Sequence, residues 1–335
     1  MPQPANFQEP WNLAATRHAE QWSERLIVRN LLCAVDFTEF SYRAFQFAAA
    51  IARHFQSHLF VQHVVSLPAE ASWGGGDTGI VKERLRAAQR NAEKELRRLQ
   101  TEANIDEMNV TYMLHDGDVR SRILETVTHR KIDLLVLGTH ARTGVKRLVE
   151  GSLAERLVHE AICPVLVVSR PKGNLRLREE PDSLSLRTIL LATDFSRNSD
   201  RALTYALRWA AEWSGRATLL HTVETASRKI RPFADLLPEA DASLEKRVRD
   251  GWEKLRTLVP DPSHTHCQIE YEVRDGSPQE QILDCAAEKK ADLIVMGARG
   301  LGKSSLTSSL YWGSTLSGVI RDGRFPVLAL RHIGG

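Results

Sequence analysis

The chain has 335 residues, 42% of them hydrophobic and 26% charged, with a formal net charge of +3. That length implies about two domains of ~100–200 residues each, in a composition ordinary for globular chains. The charge is too small to argue for nucleic acid or an acidic membrane surface, no block of like charges forms a basic stripe, and no run approaches the ~18 apolar residues of a membrane span.

Met1 to Trp11 is polar and proline-rich, without the basic segment and apolar run of a secretory signal, so the cytoplasm is the expected location. Asn12 to Arg25 has the pattern of a short amphipathic helix, with Leu13, Ala19, Trp22 and Leu26 roughly on one side. Leu31–Asp36 then reads as a strand, and Ser41–Phe55 as a helix with Ala44, Phe47, Ala48 and Ile51 on one face. His58–Val65 is a strand, and Val81–Ala103 a long charged helix with Leu85, Ala88, Ala92, Leu96 and Leu99 inward. Val110–Leu114 (strand), Val119–His129 (helix), Leu134–Gly138 (strand), Ser152–Glu160 (helix) and Val165–Ser169 (strand) complete the series. Five strands joined by helices imply a parallel, doubly wound sheet with right-handed crossovers and helices on both faces.

The same series then recurs. Asp36 and Asp194 end matching strands at an offset of 158. His115-Asp116-Gly117 matches Arg274-Asp275-Gly276 at 159, as the run Asp133 to Gly138 matches Asp292 to Gly297. Gly151-Ser152 matches Gly313-Ser314 at 162, and so does Pro164-Val165-Leu166 with Pro326-Val327-Leu328. A nearly constant offset marks a duplication. The expected division is an extension over 1–28, a first domain over 29–170, a linker over 171–186 containing Pro171, Gly173 and Pro181, and a second domain over 187–335. The apolar final strands of the two copies would be bare edges if unpaired, so the copies are expected to pair within the chain as a pseudo-dimer. Cys33, Cys163, Cys267 and Cys285 form no C-x-x-C pair and no metal-ligand spacing with His, which fits a reducing compartment.

In such sheets ligands bind beyond the carboxyl ends of the strands, where the strand order reverses. Three features converge there. Asp36, or Asp194, ends strand one. A loop follows strand four, reading Gly138-Thr139-His140-Ala141-Arg142-Thr143-Gly144 in copy one and Gly297-Ala298-Arg299-Gly300 in copy two. Gly151-Ser152, or Gly313-Ser314, opens the next helix. Glycine lets backbone approach an anion closely, and the free N–H groups of a helix N-terminus favour phosphate. The Ser152 or Ser314 hydroxyl adds a donor, and His140, Arg142 or Arg299 would offset phosphate charge. The strand-one Asp accepts from ribose hydroxyls, holds a divalent cation such as magnesium, or merely caps the next helix. Each feature alone also reads as a plain turn or cap; their recurrence in order in both copies favours a nucleotide site.

Here the chain resembles the universal stress protein family, as a tandem of two UspA-type domains over roughly residues 29–170 and 187–332. Val35-Asp36-Phe37-Thr38, Gln62-His63-Val64, Gly117-Asp118, Gly138-Thr139-His140 and Cys163-Pro164-Val165-Leu166-Val167-Val168 carry the resemblance. It implies two Rossmann-like, adenine nucleotide alpha hydrolase-like domains, each with five strands. Nucleotide-binding members carry Gly, two residues, Gly, nine residues, then Gly with Ser or Thr. By that resemblance Ala34, Val35 and Asp36 line base and ribose, and the Val64 backbone meets adenine. Leu137, Gly138, His140, Ala141, Arg142, Gly151, Ser152 and Leu153 then surround ribose and phosphates. The copy-two set is Ala192, Thr193, Asp194, Thr222, Met296, Gly297, Arg299, Gly300, Lys303, Gly313, Ser314 and Thr315.

Both copies depart from the motif. Copy one keeps the nine-residue spacing but has Ala141 at the second glycine. Copy two keeps Gly300 but has twelve residues before Gly313, so copy one is the better match. Gly297 to Ser304 also fits the P-loop string G-x-x-x-x-G-K-[ST]. However, it follows the fourth strand of its copy, and no later strand offers a metal-binding Asp. The leading expectation is a stress-response regulatory protein that binds ATP or a related adenine nucleotide without efficient catalysis, Asp36 meeting either the ribose or a magnesium ion. A nucleotide-free interaction scaffold and a slow ATPase are the alternatives, and an unidentified protein partner or homodimer is compatible with each.

Overall fold

A computed structural model describes residues 25–66, 78–102, 108–139, 153–169, 184–225, 238–298 and 314–331. The helix expected over Asn12 to Arg25, but for Arg25 itself, lies outside these residues, as does most of the linker.

The first copy runs β1 (Asn30–Ala34), α1 (Glu39–Phe55), β2 (His58–Val65), α2 (Thr78–Glu102), β3 (Val110–Asp116), α3 (Val119–His129), β4 (Leu134–Gly138), α4 (Leu153–Glu160) and β5 (Val165–Val168). The second repeats it as β6 (Thr188–Thr193), α5 (Arg197–Glu212), β7 (Arg216–Glu224), α6 (Pro238–Thr257), β8 (Gln268–Gly276), α7 (Pro278–Lys289), β9 (Leu293–Gly297), α8 (Ser314–Asp322) and β10 (Val327–Leu330). This is the doubly wound α/β architecture read from the repeat.

The chain forms two compact units, Ile27–Ser185 with Gly302–Gly335, and Met1–Leu26 with Leu186–Leu301. In the first, the strand order is β3-β2-β1-β4-β5-β10, all parallel except for β10 on β5. In the other it is β8-β7-β6-β9, all parallel. Central strands are apolar throughout because helices cover both faces, as in β1, where Leu31, Leu32 and Cys33 are fully buried. Burial also pushes the Cys33 thiol far above its ordinary range, which makes it an inert core residue.

Local chemistry sets the boundaries. Thr38 caps α1, its side chain accepting from the Ser41 N–H, and Gln56 ends that helix in the left-handed region at φ 54°. Ser196 caps α5 in the same way. Asp133, just before β4, accepts from the Arg29 and Asn30 amides at 2.8 and 2.9 Å, which ties the starts of β4 and β1 together. Asp292 repeats the device on the Thr188 amide at 2.8 Å.

β10 belongs to the second copy by sequence and to the first unit by its neighbours. Its antiparallel partners on β5 are Val327 with Val167, Leu328 with Leu166, and Ala329 with Val165. Since the repeat offset here is 162, Leu166 and Leu328 are equivalent residues facing each other, and the pairing has local twofold symmetry. Arg321 of α8 meets the buried Glu155 of α4 at 3.3 Å, and Arg331 donates to the Glu160 carbonyl at 3.3 Å.

Candidate functional site

In both units strand one lies between strand two and strand four, so the order reverses at strand one. In register, Ala34 sits beside Leu137 and Ala192 beside Met296. The carboxyl ends of β1 and β4 thus bring Asp36 and Gly138 to one fork, and those of β6 and β9 bring Asp194 and Gly297 to its counterpart.

Asp36 follows β1 and is exposed. Its Oδ1 accepts from the Thr38 amide at 3.0 Å and from the Thr38 hydroxyl at 2.6 Å, while its own amide donates to the Ser41 hydroxyl at 3.2 Å. It therefore braces the residue that caps α1 and is not itself the cap. Asp194 makes the same turn, accepting from the Ser196 amide at 3.1 Å, but its hydroxyl donor is Ser199, at 2.5 Å, and not the capping residue. In copy one the equivalent Ser41 hydroxyl donates to the Thr38 carbonyl instead, at 3.1 Å. The copy-two carboxylate is half-buried and drawn inward; the copy-one carboxylate faces outward.

Gly138 and Gly297 have a packing duty. A Cβ on Gly138 would lie 2.6 Å from the Phe40 carbonyl carbon and oxygen and 2.7 Å from the Ser41 amide nitrogen. On Gly297 it would lie 2.8 Å from the Asn198 Cβ and 3.0 Å from the Ser199 amide nitrogen. The first glycine of each loop thus lets the helix after strand one, α1 or α5, seat its first turn against strand four. Anion approach, the role argued from the sequence, is not needed to explain these two glycines.

A further pair of residues lies on the same edge. Phe37 and Phe195 adopt φ 63° and 61°, a region that bulky side chains rarely enter. Each ring lies against a histidine of strand two, Phe37 on His63 at 4.3 Å between centroids and Phe195 on His221 at 4.4 Å. His63 Nδ1 lies 2.7 Å from the Val35 carbonyl and His221 Nδ1 2.9 Å from the Thr193 carbonyl, so in both rings Nδ1 carries the proton and donates. Burial lowers the His221 pKa; the bond to Thr193 and the charge of Asp194 act upward, and Lys254 acts downward. The sequence carried a signal for this arrangement, because Phe37 and His63 both recur at the same offset of 158 as the aspartates.

Among the other expected residues, Val64 is buried, Thr222 half-buried, Leu137 and Met296 buried, and Leu153 and Thr315 are the first and second residues of their helices. Val35 is buried, and so are Ala192 and Thr193. His140, Ala141, Arg142, Gly151, Ser152, Arg299, Gly300, Lys303 and Gly313 lie outside the described residues, as does the side chain of Ser314.

A duplicated doubly wound domain with an acidic turn and a glycine at each switch point defines a class of α/β proteins with ligand sites at the sheet's carboxyl edge. The family model for the universal stress protein family matches residues 28–169 and again 185–331, and the chain belongs to that family. It is 34% identical over 151 residues to a universal stress protein of Thermus aquaticus, covering 43% of this chain and 98% of that one. With a universal stress protein of Mycobacterium tuberculosis it shares 27% identity over 203 residues, 60% of this chain and 62% of the other. The crystal structure of a universal stress protein from Archaeoglobus fulgidus covers 92% of this chain and 98% of its own, with a TM-score of 0.61 at 20% identity, a likeness of fold. No helix among the described residues is long and apolar enough to cross a membrane.

Proposed function

We propose that the chain binds an adenine nucleotide, ATP or a close relative, at the copy-one fork, and acts as a cytoplasmic stress-response regulator rather than an efficient catalyst. The observation that carries this reading is the exposed Asp36 carboxylate, oriented by the Thr38 amide and hydroxyl at the switch point and set beside the end of β4. A carboxylate so placed suits ribose hydroxyls, which donate, or a magnesium ion beside the phosphates. Ala34, Val35 and Val64 would take the base, and Leu137, Gly138, His140, Ala141, Arg142, Gly151, Ser152 and Leu153 the ribose and phosphates. Copy two would bind more weakly, because twelve residues separate Gly300 from Gly313, whereas copy one keeps the nine-residue spacing before Gly151. Among the described residues so assigned, none is a nucleophile paired with a base. Pairing of the copies through β5 and β10 supports an intrachain pseudo-dimer.

Mass spectrometry of small molecules released from freshly purified protein, followed by calorimetry with ATP, tests this. Adenine nucleotide is expected in the released fraction, with Gly151→Val weakening binding more than Gly313→Val. Protein that carries no nucleotide and gives no heat on titration would refute it, and loss confined to Gly313→Val would refute the preference for copy one.

A further inference from the structure

The two copies differ by one rung where strands one and two part. In copy one the β1–β2 ladder ends at the Ala34–Gln62 pair, with one last bond from the Val35 amide to the Gln62 carbonyl at 2.8 Å. In copy two the ladder runs on to the Thr193–His221 pair, one residue further. That rung of a parallel ladder is closed by the amide of the next residue, Thr222, on the Thr193 carbonyl. Its copy-one equivalent would join the Val64 amide to the Val35 carbonyl, and that bond is not made. In copy one that carbonyl accepts from His63 Nδ1–H at 2.7 Å, with the imidazole against the Phe37 ring.

The direction of the Val64 peptide groups follows from strand alternation. Gln62 turns its carbonyl to β1, whereas Val65 turns its carbonyl to β3, where it accepts from the Gly117 amide at 3.0 Å. Val64, two residues from Gln62, therefore presents both its N–H and its C=O past the end of β1. Val64 is buried, and a buried strand amide outside its ladder is costly unless an acceptor comes to it. The Watson–Crick edge of adenine offers an acceptor beside an amino donor, the complement of one residue's N–H and C=O. Guanine offers the reverse order.

We propose that His63 is a positioning residue for the base: by holding the Val35 carbonyl it keeps the Val64 backbone open to adenine in copy one, while the Thr222 amide of copy two is closed into the sheet. This rests on the nucleotide reading of the copy-one site and names what selects the base there. Copy two keeps the histidine but shares the Thr193 carbonyl between His221 and the ladder, so its base edge is blocked.

Two measurements on the full chain separate this proposal from the reading beneath it. Amide exchange by NMR needs no ligand. The Val64 amide is expected to exchange at least about tenfold faster than the Thr222 amide, and His63→Phe, which keeps a ring on Phe37 but has no donor, is expected to slow it as the rung closes. Calorimetry then compares ATP with inorganic tripolyphosphate. His63→Phe is expected to weaken ATP at least about tenfold and leave tripolyphosphate unchanged. His63→Asn, whose amide nitrogen can stand where Nδ1 stood, is expected to restore ATP to within about threefold. Equal protection of Val64 and Thr222 would overturn the proposal, as would equal ATP affinity of His63→Phe and wild type, or failure of His63→Asn to recover. Absence of ATP binding by the wild type, with Val64 open, would refute the nucleotide reading and leave the His63 device standing.

Discussion

Replacing Gly138 by alanine separates the two duties that a glycine after strand four can have. The added Cβ would stand 2.6 Å from the Phe40 carbonyl carbon and oxygen and 2.7 Å from the Ser41 amide nitrogen, all backbone atoms in the first turn of α1. Backbone cannot swing aside as a side-chain tip can, so α1 must shift or β4 must bend. Overpacking of this kind costs about 1–3 kcal/mol. For a unit of 150–250 residues each kcal/mol lowers Tm by ~2–4 °C, so Gly138→Ala should lower the melting of the first unit by about 2–12 °C. Gly297→Ala should cost less, because its nearest neighbour is the Asn198 Cβ at 2.8 Å and the backbone atoms stand at 3.0 Å. Differential scanning calorimetry and urea unfolding of both variants without nucleotide provide the measurement. A Gly138→Ala protein within ~0.5 kcal/mol of wild type, or less affected than Gly297→Ala, would show that the contact with α1 does not require the glycine.

Thr38→Ala removes the cap of α1 together with the hydroxyl that fixes Asp36, so urea unfolding should show a loss of ~0.5–2 kcal/mol. Thr38→Ser, which keeps both bonds, should stay near wild type; similar losses from the two variants would contradict the capping argument. Because burial holds the folded His221 pKa below its ordinary value of 6.5, its contribution to stability is full above pH 6.5. As the pH falls, the unfolded chain takes up the proton first, and that contribution is lost as the pH drops through the lower, folded value. Thermal melts between pH 7.5 and 5 should therefore fall more steeply for wild type than for His221→Asn, and parallel curves would contradict the assignment.

Much of the architecture was legible along the chain. A strand buried on both faces reads as a continuous apolar run, as Leu31 to Val35 and Ile189 to Ala192 do, and a helix with one inward face repeats its apolar residues as Ala44, Phe47, Ala48 and Ile51 do. The offset of 158 to 162 then located the second copy without any coordinates. The aspartates and glycines of the candidate site were visible for the same reason: side chains with special backbone or charge roles recur wherever the fold recurs.

Other features depend on which residues meet in space, and residue order alone does not contain that. Gly138 and Gly297 look alike as loop glycines, and only the placement of α1 and α5 against β4 and β9 shows what each excludes. Phe37 and His63 are 26 residues apart and meet because β2 lies beside β1. Ser41 and Ser199 occupy equivalent positions, yet one hydroxyl turns to a carbonyl and the other to the strand-one carboxylate. The pairing of β5 with β10 was expected from two bare apolar edges, but its centre on Leu166 and Leu328 is a matter of register. Composition and periodicity state which groups must be buried or bonded. The choice of partner depends on distances of a few tenths of an ångström between elements distant in the chain, and those are set only when the whole sheet has assembled.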